Sequence, residues 1–338
     1  MDIVFIGNSH FSQNSYLRYK ALKRLGHRVT LYNPYEVIAP VISNPIISRV
    51  HYYSGYRFLQ KKIIEWLEDK KITNQLIWVD NGELLGYEAV KHIKNQNNKV
   101  ILYNTDDPTG TRDKGRFTSL VEAIPLYDLI VTIRESTLND LQKLNSKICI
   151  RVFCAYDEEV HNPPQDAIPS RFQSDVAFIG TWIRHEKRDN FILELIKSGI
   201  NVAIWGDGWQ KGKHWSQIKA NYRGSSIYGT DYVNAIAGAK INLGLLSKGN
   251  RDFHTSRSIE VPYIGSLLCA ERTSEHQWLY EEGKEAVFWS SVQECASVCK
   301  ELLQDDEYRN RIKDAGREKV LSLKLGNEDM CKKILTFI

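Results

Sequence analysis

Short β-branched apolar runs alternate with longer helical stretches along this chain, and they do so in two series separated by an irregular break. The first series is IVFI (3–6), RVTLY (28–32), LIWV (76–79), KVILY (99–103), LIVTI (129–133) and KICIRVF (147–153). Helical patterns such as QKKIIEWLEDKK lie between them, and Gly26 is placed to end the first helix. Strand, helix, strand at this spacing implies right-handed crossovers and parallel pairing. The pattern then breaks into AYDEEVHNPPQDAIPSRFQ, whose prolines and polar residues predict a linker over 154–173. The second series is DVAFIG (175–180), NVAIWG (201–206), a strand near SIYG (226–229), KINLGLL (240–246), SLLCA (266–270) and AVFW (286–289), with helices from about Val292.

The fold class that follows is α/β: two Rossmann-like domains with parallel sheets facing a central cleft. The expected boundaries are 1–153 for an N-terminal domain, 154–173 for the linker and 174–338 for a C-terminal domain. The last helix is expected to pack back on the first domain. A chain of 338 residues is long for one core and comfortable for two.

Composition excludes several classes. The chain is 42% hydrophobic and 25% charged, as ordinary globular proteins are. No apolar run approaches the roughly 20 residues that span a bilayer. The start, MDIVFIGNSH, reads as a first strand rather than a leader, so a cytoplasmic location is expected. Residues 1–150 hold 20 Lys+Arg against 15 Asp+Glu, which suits an anionic acceptor or peripheral contact with a membrane surface. This is far short of a nucleic-acid signature. Cys295 and Cys299 lie one helical turn apart, but no second pair or nearby histidine completes a metal site, and buried thiols are expected instead.

An open parallel sheet binds ligands beyond the carboxyl ends of its strands, so chemistry is sought there. The first strand ends at Gly7, followed by Asn8, Ser9 and His10. Helix-start amides at this loop suit an anion or a sugar hydroxyl, and Ser15 suits a helix cap. No GxGxxG follows, which argues against a dehydrogenase. The fourth strand runs into NTDDPTGTR, where Asp106 and Asp107 are candidates for a general base or for holding an acceptor. In FIGTWIRHEKR, Gly180 and Thr181 end a strand while Arg184, Lys187 and Arg188 enter a helix, a place suited to a pyrophosphate. Tyr228 and Gly229 form a further strand-to-loop turn, and Trp209, Tyr228 and Tyr232 are of a type that stacks on a base or fills a core. Within KGNRDFHTSRSIEVPYIGSLLCAE, Glu260 suits vicinal ribose hydroxyls, and Arg257, one turn earlier, suits a donor phosphate.

ILYNTDDP, PLYDLIVT, DVAFIGTW, WGDGW, RSIEVPYIGSLL and EEGKEAVFW, in this order and spacing, resemble the glycosyltransferase family typified by the spore maturation protein CgeB, within the GT-B superfamily. The resemblance implies a nucleotide-diphosphate sugar as co-substrate, bound mainly by the C-terminal domain through Gly180, Thr181, Arg184, Arg188, Tyr228, Gly229, His254, Arg257 and Glu260. It implies a glycan, glycolipid or other hydroxyl-bearing acceptor held by the N-terminal domain near Gly7–His10. Related retaining enzymes carry two glutamates with seven residues between them; Glu260 matches the second and Asp252, a shorter acid, stands at the first. The family's basic pair falls loosely on Arg184 and Lys187 or Arg188, and its C-terminal His-Thr-Tyr stretch is replaced here by LSLKLGNEDM. Transfer without metal or other cofactor is implied, with retention suggested by the Asp252/Glu260 spacing. Other readings are a nucleotide-sugar epimerase, a glycosyltransferase acting on nucleic acid, and a sugar-nucleotide-binding protein without catalysis.

Overall fold

A computed structural model describes residues 1–144 and 147–338. Two six-stranded parallel sheets form the frame. The first contains β1 (Asp2–Ile6), β2 (Arg28–Tyr32), β3 (Leu76–Asp80), β4 (Lys99–Asn104), β5 (Leu129–Thr132) and β6 (Ile148–Arg151), in the order β2-β1-β3-β4-β5-β6. The second contains β7 (Ser174–Ile179), β8 (Val202–Trp205), β9 (Tyr222–Gly224), β10 (Ala239–Gly244), β11 (Leu267–Glu271) and β12 (Val287–Trp289), in the order β12-β11-β10-β7-β8-β9. The α/β reading with parallel sheets is correct.

The helices that cross between strands of the first sheet are α1 (Asn14–Arg24), α2 (Pro34–Ile42), α3 (Pro45–Tyr53), α4 (Gln60–Glu68), α5 (Tyr87–Asn95), α6 (Thr118–Ala123) and α7 (Glu135–Leu144). Two of them start on the same device: Asn33 and Asn44 accept bonds from first-turn amides, and a proline follows each. Proline at the first helical position loses only an N–H that had no partner there. With the second sheet go α8 (Arg188–Lys197), α9 (Trp215–Ile218), α10 (Gly229–Ala237), α11 (Ser256–Ile264), α12 (Ser274–Leu279), α13 (Val292–Gln304) and α14 (Asp306–Ser322). The chain ends in α15 (Asn327–Leu335).

Two compact units result. One comprises Met1–Phe153 with Gly249–Arg251 and Asn327–Ile338; the other comprises Cys154–Lys248 with Asp252–Gly326. In the first, α15 lies against α1, where Arg24 Nε donates to Glu328 at 2.6 Å. The two faces of the first sheet follow the period of two. Val4, Ile6, Ile77, Val79, Val100 and Leu102 share one core with Ile63, Leu67, Val90 and Ile93 of α4 and α5. On the other face Phe5, Trp78 and Tyr103 stack in a row, with centroids 6.3 and 5.9 Å apart. Each such fully buried side chain contributes about 1.5–3 kcal/mol. In the second unit, Val176, Phe178, Val202, Ile204, Ile241 and Leu243 pack with Ile192, Leu195 and Leu302.

One expected strand is displaced. The third strand of the second series is Tyr222–Gly224 rather than SIYG. Ser226 is held as a loop because its N–H and hydroxyl both bond the Asp207 carboxylate, at 3.1 and 2.6 Å. Gly229, at φ +55°, then opens α10.

Candidate functional site

In the second unit the chain runs outward from β7 through β8 to β9, then returns to the other side of β7 for β10, β11 and β12. The strand order therefore switches direction between β7 and β10. The carboxyl ends of strands at such a switch point are where sheets of this kind bind ligands.

The loop after β7 starts at Gly180, whose N–H donates to the Trp205 carbonyl at 2.9 Å and whose carbonyl accepts from Trp209 Nε1 at 2.9 Å. Gly206 faces it at φ +140°, and a Cβ there would stand 2.2 Å from the Gly180 oxygen. The WGDGW turn is thus a backbone-to-backbone contact, and Trp209, fully buried, is core rather than a base-stacking ring.

Thr181 and Arg184 are exposed in this loop. Arg188 is not. It is buried at the first turn of α8, and donates to the carbonyls of Thr181 (2.8 Å) and Leu246 (3.2 Å). Glu186 supports the same junction by accepting from Ser247 Oγ and the Lys248 N–H, at 3.0 and 3.2 Å. Arg188 was expected at a phosphate; its guanidinium instead clasps the two switch-point loops, because a buried cation takes the carbonyls within reach. Asp252, half-buried, accepts from the Ser247 N–H at 3.3 Å within its own loop.

His254 is also corrected. The Cys154 N–H donates to its Nε2 at 3.0 Å, and its Nδ1 donates a hydrogen bond to Glu275 Oε2 of α12. Both ring nitrogens have protein partners, and the side chain is buried.

Arg257 and Glu260 lie one turn apart on α11, a helix buried from Ser258 to Ile264. Its start is pinned by a chain of bonds that sequence reasoning missed. Ser258 Oγ accepts from the Thr255 N–H at 3.0 Å and meets His276 Nε2 at 2.7 Å, while His276 Nδ1 donates to the Glu271 carbonyl at 2.6 Å. Burial depresses His276 to about 4, so it stays neutral in this chain.

Glu260 is buried and accepts a hydrogen bond from the Tyr232 hydroxyl of α10. Burial, then the Glu260 charge, push that phenol well above its usual range. The Arg257 guanidinium lies 6.0 Å from the Tyr232 ring centroid, and its Nε is buried without a protein partner. An unpartnered buried donor on a cation invites an anion. No side chain caps α10, which starts between half-exposed Tyr228 and Gly229. Open first-turn amides there favour negative charge as well. The structure therefore gathers Arg257, Glu260 and Tyr232. Tyr232 was weighed only as core or stacking, and its role as a hydrogen-bond donor to Glu260 had no sequence signal.

In the first unit the switch lies between β1 and β3. Gly7 ends β1, and a Cβ there would stand 2.4 Å from Ser15 Oγ, so only glycine fits beside α1. Ser15 is buried inside α1 rather than capping it. The exposed loop beyond is internally bonded: Asn8 Oδ1 accepts from the His10 N–H, His10 Nδ1 meets Ser12 Oγ at 2.7 Å, and Ser9 Oγ bonds Asn33 and Glu36. Beneath it Arg18 forms a bidentate pair with Asp80, at 2.6 and 2.8 Å, and lies 4.4 Å over the Tyr103 ring.

The Asp106-Asp107 pair divides. Asp107 is 3% exposed. Its carboxylate receives Arg251 Nε at 2.7 Å, the second Arg251 nitrogen at 2.6 Å and Thr137 Oγ1 at 2.8 Å. It was expected as a base toward an acceptor; bound this way it is a structural anion. Asp106 is more open, with Arg116 at 3.5 Å. Arg116 also donates to the buried Glu83, at 2.5 Å.

Cys269 of β11 brings a third thiol to Cys295 and Cys299 of α13, correcting the expectation of an isolated pair; their sulfurs lie within 4.8 Å of one another. All three are fully buried in the apolar core of the second unit.

Residues 184–325 match the family described as glycosyl transferase-like. No curated protein sequence matches the chain. Among solved structures, sucrose-phosphate synthase from Thermosynechococcus elongatus superposes with a TM-score of 0.72 at 12% identity, over 99% of this chain and 98% of that one. Anabaena HepE in complex with UDP-glucose gives 0.70 at 11%, over 99% and 98%. A protein assigned as a UDP-N-acetylglucosamine 2-epimerase of Listeria monocytogenes gives 0.60 at 10%, over 99% and 94%. The chain thus has the GT-B fold of these proteins over nearly its full length, and is similar to glycosyl transferase-like sequences across the segment that holds Arg257 and Glu260.

Proposed function

We propose that this protein transfers a sugar from a nucleotide-diphosphate sugar to an acceptor hydroxyl. The observation that carries the reading is the Arg257–Tyr232–Glu260 group: a half-buried cation whose buried Nε has no protein partner, beside a buried carboxylate held by a phenol. The matched family segment contains all three residues. The HepE complex with UDP-glucose, on the same fold, supports a sugar nucleotide as donor.

In this reading Glu260 accepts the ribose hydroxyls, and Arg257 with the first amides of α10 faces the diphosphate. The acceptor oxygen bonds to the anomeric carbon as the bond from that carbon to the diphosphate oxygen breaks. The electron pair leaves with the diphosphate, whose released oxygen takes up the acceptor's proton, and positive charge placed beforehand at that oxygen lowers the barrier. This assigns the leaving-group charge to protein cations and amides rather than to a metal cofactor. Asp106, with its carboxylate more open than that of Asp107, is the group proposed to meet the acceptor hydroxyl, near the Gly7–His10 loop. Retention of configuration is the finer part of the proposal, supported by the spacing of Asp252 and Glu260 alone. Six free thiols fit a reducing compartment, where the reaction is placed.

A thermal-shift screen over nucleotide diphosphates and their sugars tests the reading, because a ligand bound only by the folded state raises the melting temperature. A shift with one nucleotide family, followed by acceptor-dependent product, supports transfer. Product altered in the sugar without any acceptor would favour the epimerase reading, and no shift with any nucleotide would overturn both.

A further inference from the structure

We propose that the outer face of α3 is a docking surface for an anionic lipid bilayer. This goes beyond sugar transfer and stands on different residues. Ile46 is 76% exposed, Val50 54% and Tyr53 43%; at this spacing they form one stripe along the helix. Ile47 flanks the stripe, and Phe58, 70% exposed, follows in the next turn of chain. His51 points inward and is buried. Scattered apolar side chains are ordinary on a surface, whereas five large ones within thirteen residues make a patch.

The helix is fixed with this face outward. Asn44 caps its start and Pro45 occupies its first position. At its other end the backbone of Gly115 lies against the Tyr53 carbonyl so closely that a Cβ would stand 2.1 Å from it.

Charge selects the occupant. From Val37 to Ile64 the chain has no Asp or Glu, yet carries Arg49, Arg57, Lys61 and Lys62. Arg49 and Lys114 both lie 5.6 Å from the Tyr53 ring, at the border of the stripe. Arg57 pairs with Glu122 and Lys61 lies near Glu65, which leaves Arg49 and Lys114 to give the rim its positive sign. An apolar stripe rimmed by cations matches a bilayer surface: the stripe enters the acyl boundary and the cations meet lipid phosphates. A second copy of this chain would bring like charges together.

Sedimentation of the full chain with vesicles tests the proposal. Vesicles of mixed phosphatidylglycerol and phosphatidylcholine are compared with phosphatidylcholine alone. The wild type is expected to pellet with the anionic vesicles, less so at about 0.5 M salt, where screening is short-ranged. Ile46→Ser with Val50→Ser should reduce partitioning at least about tenfold, and Arg49→Glu should reduce it further toward neutral-vesicle levels. Unchanged thermal melting of these surface variants shows that they fold. Failure to pellet with anionic vesicles, equal pelleting of variants and wild type, or a concentration-dependent dimer abolished by the same substitutions would overturn the proposal.

Discussion

The Tyr232 hydroxyl of α10 donates to Glu260 Oε2 of α11, so the carboxylate assigned to the donor ribose is aimed by a phenol 28 residues earlier in the chain. Replacing Tyr232 with Phe keeps the ring beside Arg257 and removes only this bond. Hydrogen bonds to charged groups contribute about 1.5–3 kcal/mol. Tyr232→Phe should therefore weaken donor binding about tenfold, seen in donor KM more than in kcat. An unchanged donor KM would show that Glu260 needs no such aim.

Asp106 and Asp107 are neighbours with different predicted fates. Asp107→Asn replaces one acceptor oxygen of the Arg251 bidentate pair with a donor amide. Breaking a buried ion pair costs about 3–5 kcal/mol; Arg251 is 35% exposed along its side chain, and solvent screening lowers the expected cost to about 2 kcal/mol. Thermal melting should fall while kcat in the folded fraction is kept. Asp106→Asn should leave melting nearly unchanged and lower kcat/KM for the acceptor about tenfold or more. The reverse pattern would exchange the two roles.

His276 predicts a loss of stability in mild acid. Its folded-state value is depressed to about 4, against about 6.5 for an unperturbed histidine. Below about pH 6.5 the unfolded chain therefore takes up a proton that the folded chain refuses. The stabilisation is fully present above that pH and is lost as pH falls toward 4, by about 3 kcal/mol for this one group. Urea unfolding at pH 7.5 and at pH 5 should differ more for the wild type than for His276→Gln, in which the titrating ring is gone. Equal differences would remove His276 from the account.

These predictions also mark what the sequence could and could not carry. RVTLY was placed residue for residue because a β-branched run pairs with β1 along its whole length, from Asp2↔Arg28 to Ile6↔Tyr32. Tyr222–Gly224 was missed because a three-residue strand has too few side chains to show a period, and its glycine stands at φ +151°. That Arg257 and Glu260 share one helix was legible because they stand one turn apart in the sequence. Asp107 was misjudged because its partner Arg251 lies 144 residues away, a separation that no local pattern encodes. The same holds for Arg188, which takes one of its two carbonyl partners from Leu246, and for His254, whose Nε2 accepts from the Cys154 N–H. Tertiary partners decide whether a polar side chain faces a ligand or the protein.

The central claim is that Arg257 and Glu260 make the second unit a nucleotide-diphosphate site. Calorimetric titration of UDP, GDP, ADP and dTDP into the wild type and into Arg257→Ala tests it most directly. The account predicts that one of these diphosphates binds the wild type with a stoichiometry of about one and binds Arg257→Ala at least about tenfold more weakly, since a charge-assisted phosphate contact is lost. Equal affinity for both proteins, or no binding of any diphosphate to the wild type, would contradict it.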